Sequence, residues 1–161
     1  MNYNETSVCI SDILPEEILY FKEEPVSKIF CLPEDKPCIE NICDVIIHPK
    51  VISKKLIRTE AGYSNEGQKL TGYKLVVELE IDVKITYVAD EPTQSIYAIH
   101  YETLKSMFVI LPEVAYNKSV HDLYNASRFT ITPYIEHSYT KILDVRDINV
   151  CMLILLDIKF C

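Results

Sequence analysis

The sequence has three glycines and no tryptophan in 161 residues. Three glycines cannot furnish several phosphate-cradling loops, and neither a Walker nor a Rossmann pattern occurs. Basic residues are scarce. Sixteen lysines and arginines face 24 acidic residues, for a formal net charge of −8. Nucleic-acid binders draw much of their affinity from neutralising phosphates, so no nucleic-acid partner is expected. Long apolar runs are missing too. The longest, Val150 to Leu156, falls far short of the ~20 residues that cross a bilayer as a helix, so no membrane span is expected. Met1-Asn2-Tyr3-Asn4-Glu5 offers neither the basic nor the apolar region of a signal peptide, and none is expected.

What remains is 48% hydrophobic and 25% charged, enough apolar material for one folded domain. Eleven tyrosines and six cysteines stand out. The pattern predicts an all-β chain, an antiparallel β-sandwich over residues 45–161. An N-terminal arm, 1–44, precedes it and carries one or two short helices. The arm holds Pro15, Pro25, Pro33 and Pro37 and no long alternation. One helix is expected over Asp12–Phe21, capped by Ser11 or Asp12. The other is expected from Pro37 to Cys43, with proline in its first turn.

The body is read from period-two alternation. Leu75, Val77, Leu79, Ile81, Val83, Ile85 and Tyr87 alternate with mostly charged residues. Ile148, Val150, Met152, Ile154, Leu156, Ile158 and Phe160 do the same, but their odd-numbered neighbours include Cys151, Leu153 and Leu155. That strand is expected to be partly buried on both faces. Phe129 to Tyr139 contains Pro133, which removes a ladder donor and predicts an edge position or a bulge. Val45–Arg58 and Ser95–Leu111 complete the strands. Gly62, Gly67 and Gly72 fall in one connection, read as a hairpin loop. There is also an internal echo. Val45–Val51 and Phe129–Ile135 share a proline, and each precedes a strand carrying Asp-x-Lys, at Asp82–Lys84 and Asp157–Lys159. Two such strand–turn–strand units facing each other would make a sandwich.

The cysteines are Cys9, Cys31, Cys38, Cys43, Cys151 and Cys161. They admit three readings: buried thiols, thiols that oxidise outside a reducing compartment, or metal ligands. Their spacing lacks the closely paired ligands of structural zinc, so no metal is expected. Cys151 and Cys161 lie on one strand face about 33 Å apart, beyond disulfide reach. Cys38 and Cys43, if helical, are offset by about 140° and point apart. Cys9 and Cys161, near the termini, are the natural candidates for bonds between subunits.

No catalytic site or cofactor is expected. His48, His100, His121 and His137 belong to no nucleophile or metalloprotease motif, although a Cys–His pair needs only proximity in space. Lys50, Lys54, Lys55 and Arg58 form a small basic cluster. It reads as a solvated strand face or as a patch complementary to another copy.

Leu32-Pro33-Glu34-Asp35-Lys36-Pro37-Cys38-Ile39-Glu40-Asn41-Ile42 resembles the opening of the SPOCS domain, found in spore-coat proteins of anaerobic endospore formers. Glu66–Gly72 looks like that family's glycine hairpin, and Ile85–Asp90 like its strand end. Phe108–Glu113, Tyr134–Glu136 and Asp144–Arg146 resemble its later elements. The likeness covers about residues 30–161 in order. It implies a β-rich, non-enzymatic module that builds or anchors a spore layer. It further implies synthesis in the mother-cell cytoplasm and deposition in the coat or exosporium. Together with the cysteines, it leads to the expectation of a protein that assembles with itself into an array or filament, reinforced by intermolecular disulfides. Other spore-coat proteins are possible partners. The alternative is a monomeric adaptor that docks onto a coat morphogenetic protein.

Overall fold

In a computed structural model of the chain, residues 14–161 are described. The elements follow the order β1 Tyr20–Cys31, β2 Ile39–Arg58, β3 Gly62–Tyr63, β4 Lys69–Leu70, β5 Tyr73–Ala89, β6 Ile96–Leu111, β7 Val114–Ala115, β8 Lys118–Ser119, α1 Val120–Asn125, β9 Phe129–Asp144 and β10 Asp147–Phe160. Two antiparallel three-stranded sheets carry the fold. One has the order β1-β10-β9 and the other β2-β5-β6. The chain is an all-β sandwich.

The two most regular alternations become the two central strands. Leu75, Val77, Leu79, Ile81, Val83, Ile85 and Tyr87 of β5 are at most 1% exposed. Ile148, Val150, Ile154, Leu156 and Ile158 of β10 face them and are equally buried. Burying each such side chain contributes about 1.5–3 kcal/mol. Tyr87 is enclosed because its hydroxyl has a partner, donating to the Pro37 carbonyl at 3.0 Å.

The three prolines inside strands obey the missing-donor rule. Pro25, Pro49 and Pro133 lie on β1, β2 and β9, each an edge strand of its sheet. Those edges are closed by their neighbours. Phe30 of β1 stacks on Tyr101 of β6 at 4.5 Å, and the Tyr101 hydroxyl donates to the Cys31 carbonyl. Lys105 of β6 pairs with Glu24 of β1 at 2.7 Å. On the opposite edge Lys54 of β2 lies 4.5 Å from the centre of the Phe129 ring. The glycine connection is a hairpin, β3–β4, in which Gly67 supplies a φ of +82°.

Both expected helices need correction. Asp12 and Ile13 lie outside the described residues, residues 14–19 form no helix, and Tyr20 and Phe21 open β1. Ile39–Cys43 is the start of β2, paired with the end of β5. Two register shifts there set the buried residues Ile39, Ile42 and Val45 three apart, which imitates a helical period. β1 itself falls inside the expected arm. Its inward positions include Lys22 and Glu24, and Glu24 is satisfied by the ion pair to Lys105, so apolar alternation never develops. The short helix α1, with Val120 and Leu123 buried, was not expected; six residues carry too little pattern.

The internal echo has a structural counterpart. His48 pairs with Asp82 and Pro49 with Ile81; Thr132 pairs with Asp157 and Pro133 with Leu156. A further repeat joins it. Leu-Pro-Glu follows β1 at 32–34 and completes β6 at 111–113. The chain is therefore two tandem units, each a strand, a Leu-Pro-Glu corner and a proline-marked hairpin. Their first strands are exchanged: β1 pairs with β10, and β6 with β5.

Candidate functional site

The chemistry-bearing groups of this chain are its thiols, and the strands set their places. β10 runs about 45 Å from Asp147 to Phe160. Cys31 pairs with Asp147 at one end of it. Cys38 lies at the same end, half-buried, and Arg146 Nη1 donates to its sulfur at 3.6 Å. Cys43 is exposed on β2, at a register shift near where that strand meets the end of β5. Cys161 is exposed beyond the other end of β10. Its backbone N–H donates to the Arg128 carbonyl at 3.0 Å, so this terminus is tied down rather than loose. Cys9 lies outside the described residues. The five described cysteines are free thiols. Cys38 and Cys43 were expected on one short helix; instead Cys43 lies on β2 and Cys38 immediately before it.

Cys151 sits in a different setting. It is on the outer face of β10, half-buried in a groove of about 560 Å³ with Pro25, Met152 and Leu153 among its walls. Asn149 Nδ2 donates to its sulfur at 3.2 Å, and Ser27 Oγ lies 3.3 Å away. Burial by itself pushes the thiol up. Side-chain hydrogen bonds with Ser27, Tyr139 and Asn149 outweigh it and hold the pKa below the usual cysteine value. Cys31 shows the opposite. The Asp147 carboxylate, by hydrogen bond and by charge, pushes its thiol up. Sequence spacing could not separate these two. Asn149, two residues before it on the same strand face, and the cross-strand partners Ser27 and Tyr139 together set Cys151 apart.

The histidines are scattered. His48 and His100 lie on β2 and β6, and His121 on α1 beside Asn125. His137 shares a groove with the thiol of Cys151. Among the described residues no group of three or more histidine, cysteine or acidic side chains could hold a metal ion. Nor is any helix among them long and apolar enough to cross a membrane. Three of the four residues of the basic cluster are engaged locally. Lys50 bonds Glu80 at 3.0 Å, Lys54 covers Phe129, and Arg58 covers Tyr73.

What the fold and its groups define is a small β-sandwich with reduced thiols distributed over its surface. The chain shows no significant match to any protein-family model, curated protein or solved structure.

Proposed function

We propose that this chain is a structural protein of the spore surface, in coat or exosporium, that assembles with itself into an array or filament held by intermolecular disulfides. One observation carries the reading. Exposed thiols stand at opposite ends of the sandwich, Cys31 at the start of β10 and Cys161 beyond its end. Complementary ends make a head-to-tail contact, and such a contact, when it does not close into a ring, propagates as a filament. The resemblance to SPOCS domains supplies the location. Reduced thiols suit synthesis in a reducing mother cell, with oxidation after its lysis.

The test uses the full purified chain. After mild oxidation, a non-reducing gel should show a ladder that collapses with reductant, and electron microscopy should show ordered arrays or fibres. Cys161→Ser and Cys31→Ser should each thin the ladder. A chain that stays monomeric by size-exclusion chromatography, with six free thiols, overturns this reading and favours the adaptor.

A further inference from the structure

Cross-strand pairing puts two rows of side chains on the outer face of the β1-β10-β9 sheet. Ser27, Cys151 and Tyr139 form one row; Pro25, Leu153 and His137 form the next. The small Ser27 and Cys151 and the compact Pro25 ring leave a hollow between the larger neighbours. All six line the groove of about 560 Å³, a volume within the roughly 300–1,000 Å³ of small-molecule sites. No lysine, arginine or acidic side chain is in its wall among the described residues.

Hydrogen bonds hold the sulfur in place at this hollow. The Ser27 hydroxyl donates to Asn149 Oδ1 at 2.9 Å, and Asn149 Nδ2 donates to the Cys151 sulfur at 3.2 Å. The one hydroxyl hydrogen of Ser27 is thereby used, so the neutral thiol donates back to Ser27 Oγ at 3.3 Å and closes a ring. When the thiol ionises, Asn149 goes on donating to it. A nucleophile, fixed donors and an uncharged cavity thus meet at one place.

We propose that this groove is a thiolation site, where Cys151 reacts with a small uncharged disulfide and keeps one half of it as a mixed disulfide lodged in the hollow. The proposal goes beyond the self-assembly reading and does not depend on it. Size selects a small partner over another folded chain. A disulfide draws its two Cα atoms within about 7 Å. Sheets packed face to face stand about 10 Å apart, so a second sandwich laid on this face stops short of Cys151. The uncharged wall selects against an ionic partner, because a charge placed there loses water and gains no counter-charge.

The chemistry is one exchange. The Cys151 thiolate attacks one sulfur of the small disulfide, the S–S bond breaks, and the other half leaves as a thiolate that takes up the proton Cys151 released. The Cys151 sulfur is oxidised to the disulfide level, and one small thiol is the reduced product. Exchange is fastest for a thiol whose pKa lies near the ambient pH. The lowered Cys151 thiol moves toward that condition, and the raised Cys31 thiol moves away from it.

The experiment treats the reduced full-length chain at pH 7 with limiting 2-hydroxyethyl disulfide, quenches with acid, and maps the adduct on tryptic peptides by mass spectrometry. Cys151 is the sole cysteine of peptide 147–159, and Cys31 falls in 29–50. The first equivalent should fall on 147–159, about three- to tenfold ahead of 29–50. That preference should vanish in urea, and it should shrink with oxidised glutathione, which carries carboxylates. Leu153→Trp fills the groove and leaves the Ser27 and Asn149 bonds to the sulfur in place; it should slow the hydroxyethyl reaction several-fold. First labelling elsewhere, or a preference that survives urea, overturns the site. An unchanged rate in Leu153→Trp overturns the groove as holder of the adduct, and an equal preference with glutathione overturns the uncharged class. Recovery of 147–159 bonded to another peptide of the protein overturns the small partner.

Discussion

The hydrogen bonds around Cys151 make a quantitative demand. In the Asn149→Ala variant the sulfur loses the Nδ2–H donor at 3.2 Å, while the Ser27 hydroxyl, which donates to Asn149 Oδ1 at 2.9 Å, is freed to turn to the sulfur and returns part of that loss. Hydrogen bonds to charged groups are worth about 1.5–3 kcal/mol, but Cys151 is only half-buried, and water replaces part of the loss. A net loss of about 0.7–1.4 kcal/mol is reasonable, which raises the thiol pKa by about half to one unit. Near neutral pH the thiolate fraction then falls about three- to tenfold. The remaining thiolate is more basic and more nucleophilic, which returns part of the rate, with a Brønsted slope of about 0.4–0.5. The net prediction is an alkylation rate about two- to fourfold lower at pH 7, together with a titration midpoint moved up. The assay is iodoacetamide labelling across pH, read on peptide 147–159, with Cys31 as internal control. Cys31 should not change, because its thiol answers to Asp147. An unmoved or lowered Cys151 midpoint in Asn149→Ala would refute the reasoning.

Two further outcomes test the fold. Ile154→Ala in the middle of β10 should cost about 2–5 kcal/mol in urea unfolding, since the side chain is fully buried between the sheets. A loss under about 1 kcal/mol would mean the core collapses onto the gap. Glu136 is pushed above its usual value of 4.5 by burial first, then by the charge and hydrogen bond of Glu23. The folded chain therefore holds a proton that the unfolded chain has released, and stability falls as pH rises from 4.5 through the raised value. Glu136→Gln should remove that fall. Melting temperatures that run parallel for variant and wild type across this window would contradict it.

The central strands were legible because each keeps one face wholly apolar, and β5 and β10 begin and end close to where their alternation does. Pro133 also disclosed its edge position, for the local reason that it cannot donate to a ladder. What escaped reading lies at the seam between the sheets. β1 needs no alternation where Glu24 meets Lys105, and β2 breaks its own period with register shifts at its start. Both are answers to partners distant in sequence. The same limit applies to the thiols. That Cys151 shares a strand with Cys161 is visible in the spacing. That Ser27, 124 residues away, bonds its sulfur is not.

The tandem units sharpen the argument about which surface does work. Equivalent strands stand at the centre of each sheet, with Asp82 and Asp157 at matching register beside a proline. If the outer faces were only solvated, the two would be expected to carry similar polarity. They do not. The first unit keeps charged residues outward on β5, and Lys50 reaches Glu80 across them. The second unit places Cys151, Leu153 and Leu155 outward and buries Asp157, whose Oδ2 pairs with Lys159 at 3.5 Å. What differs is how each sheet spreads its outward apolar side chains: the first keeps charge on its central strand and exposes Ile46, Leu104 and Phe108 on the flanking ones, whereas the second carries them on the central strand itself, where Leu155 is already buried within the chain.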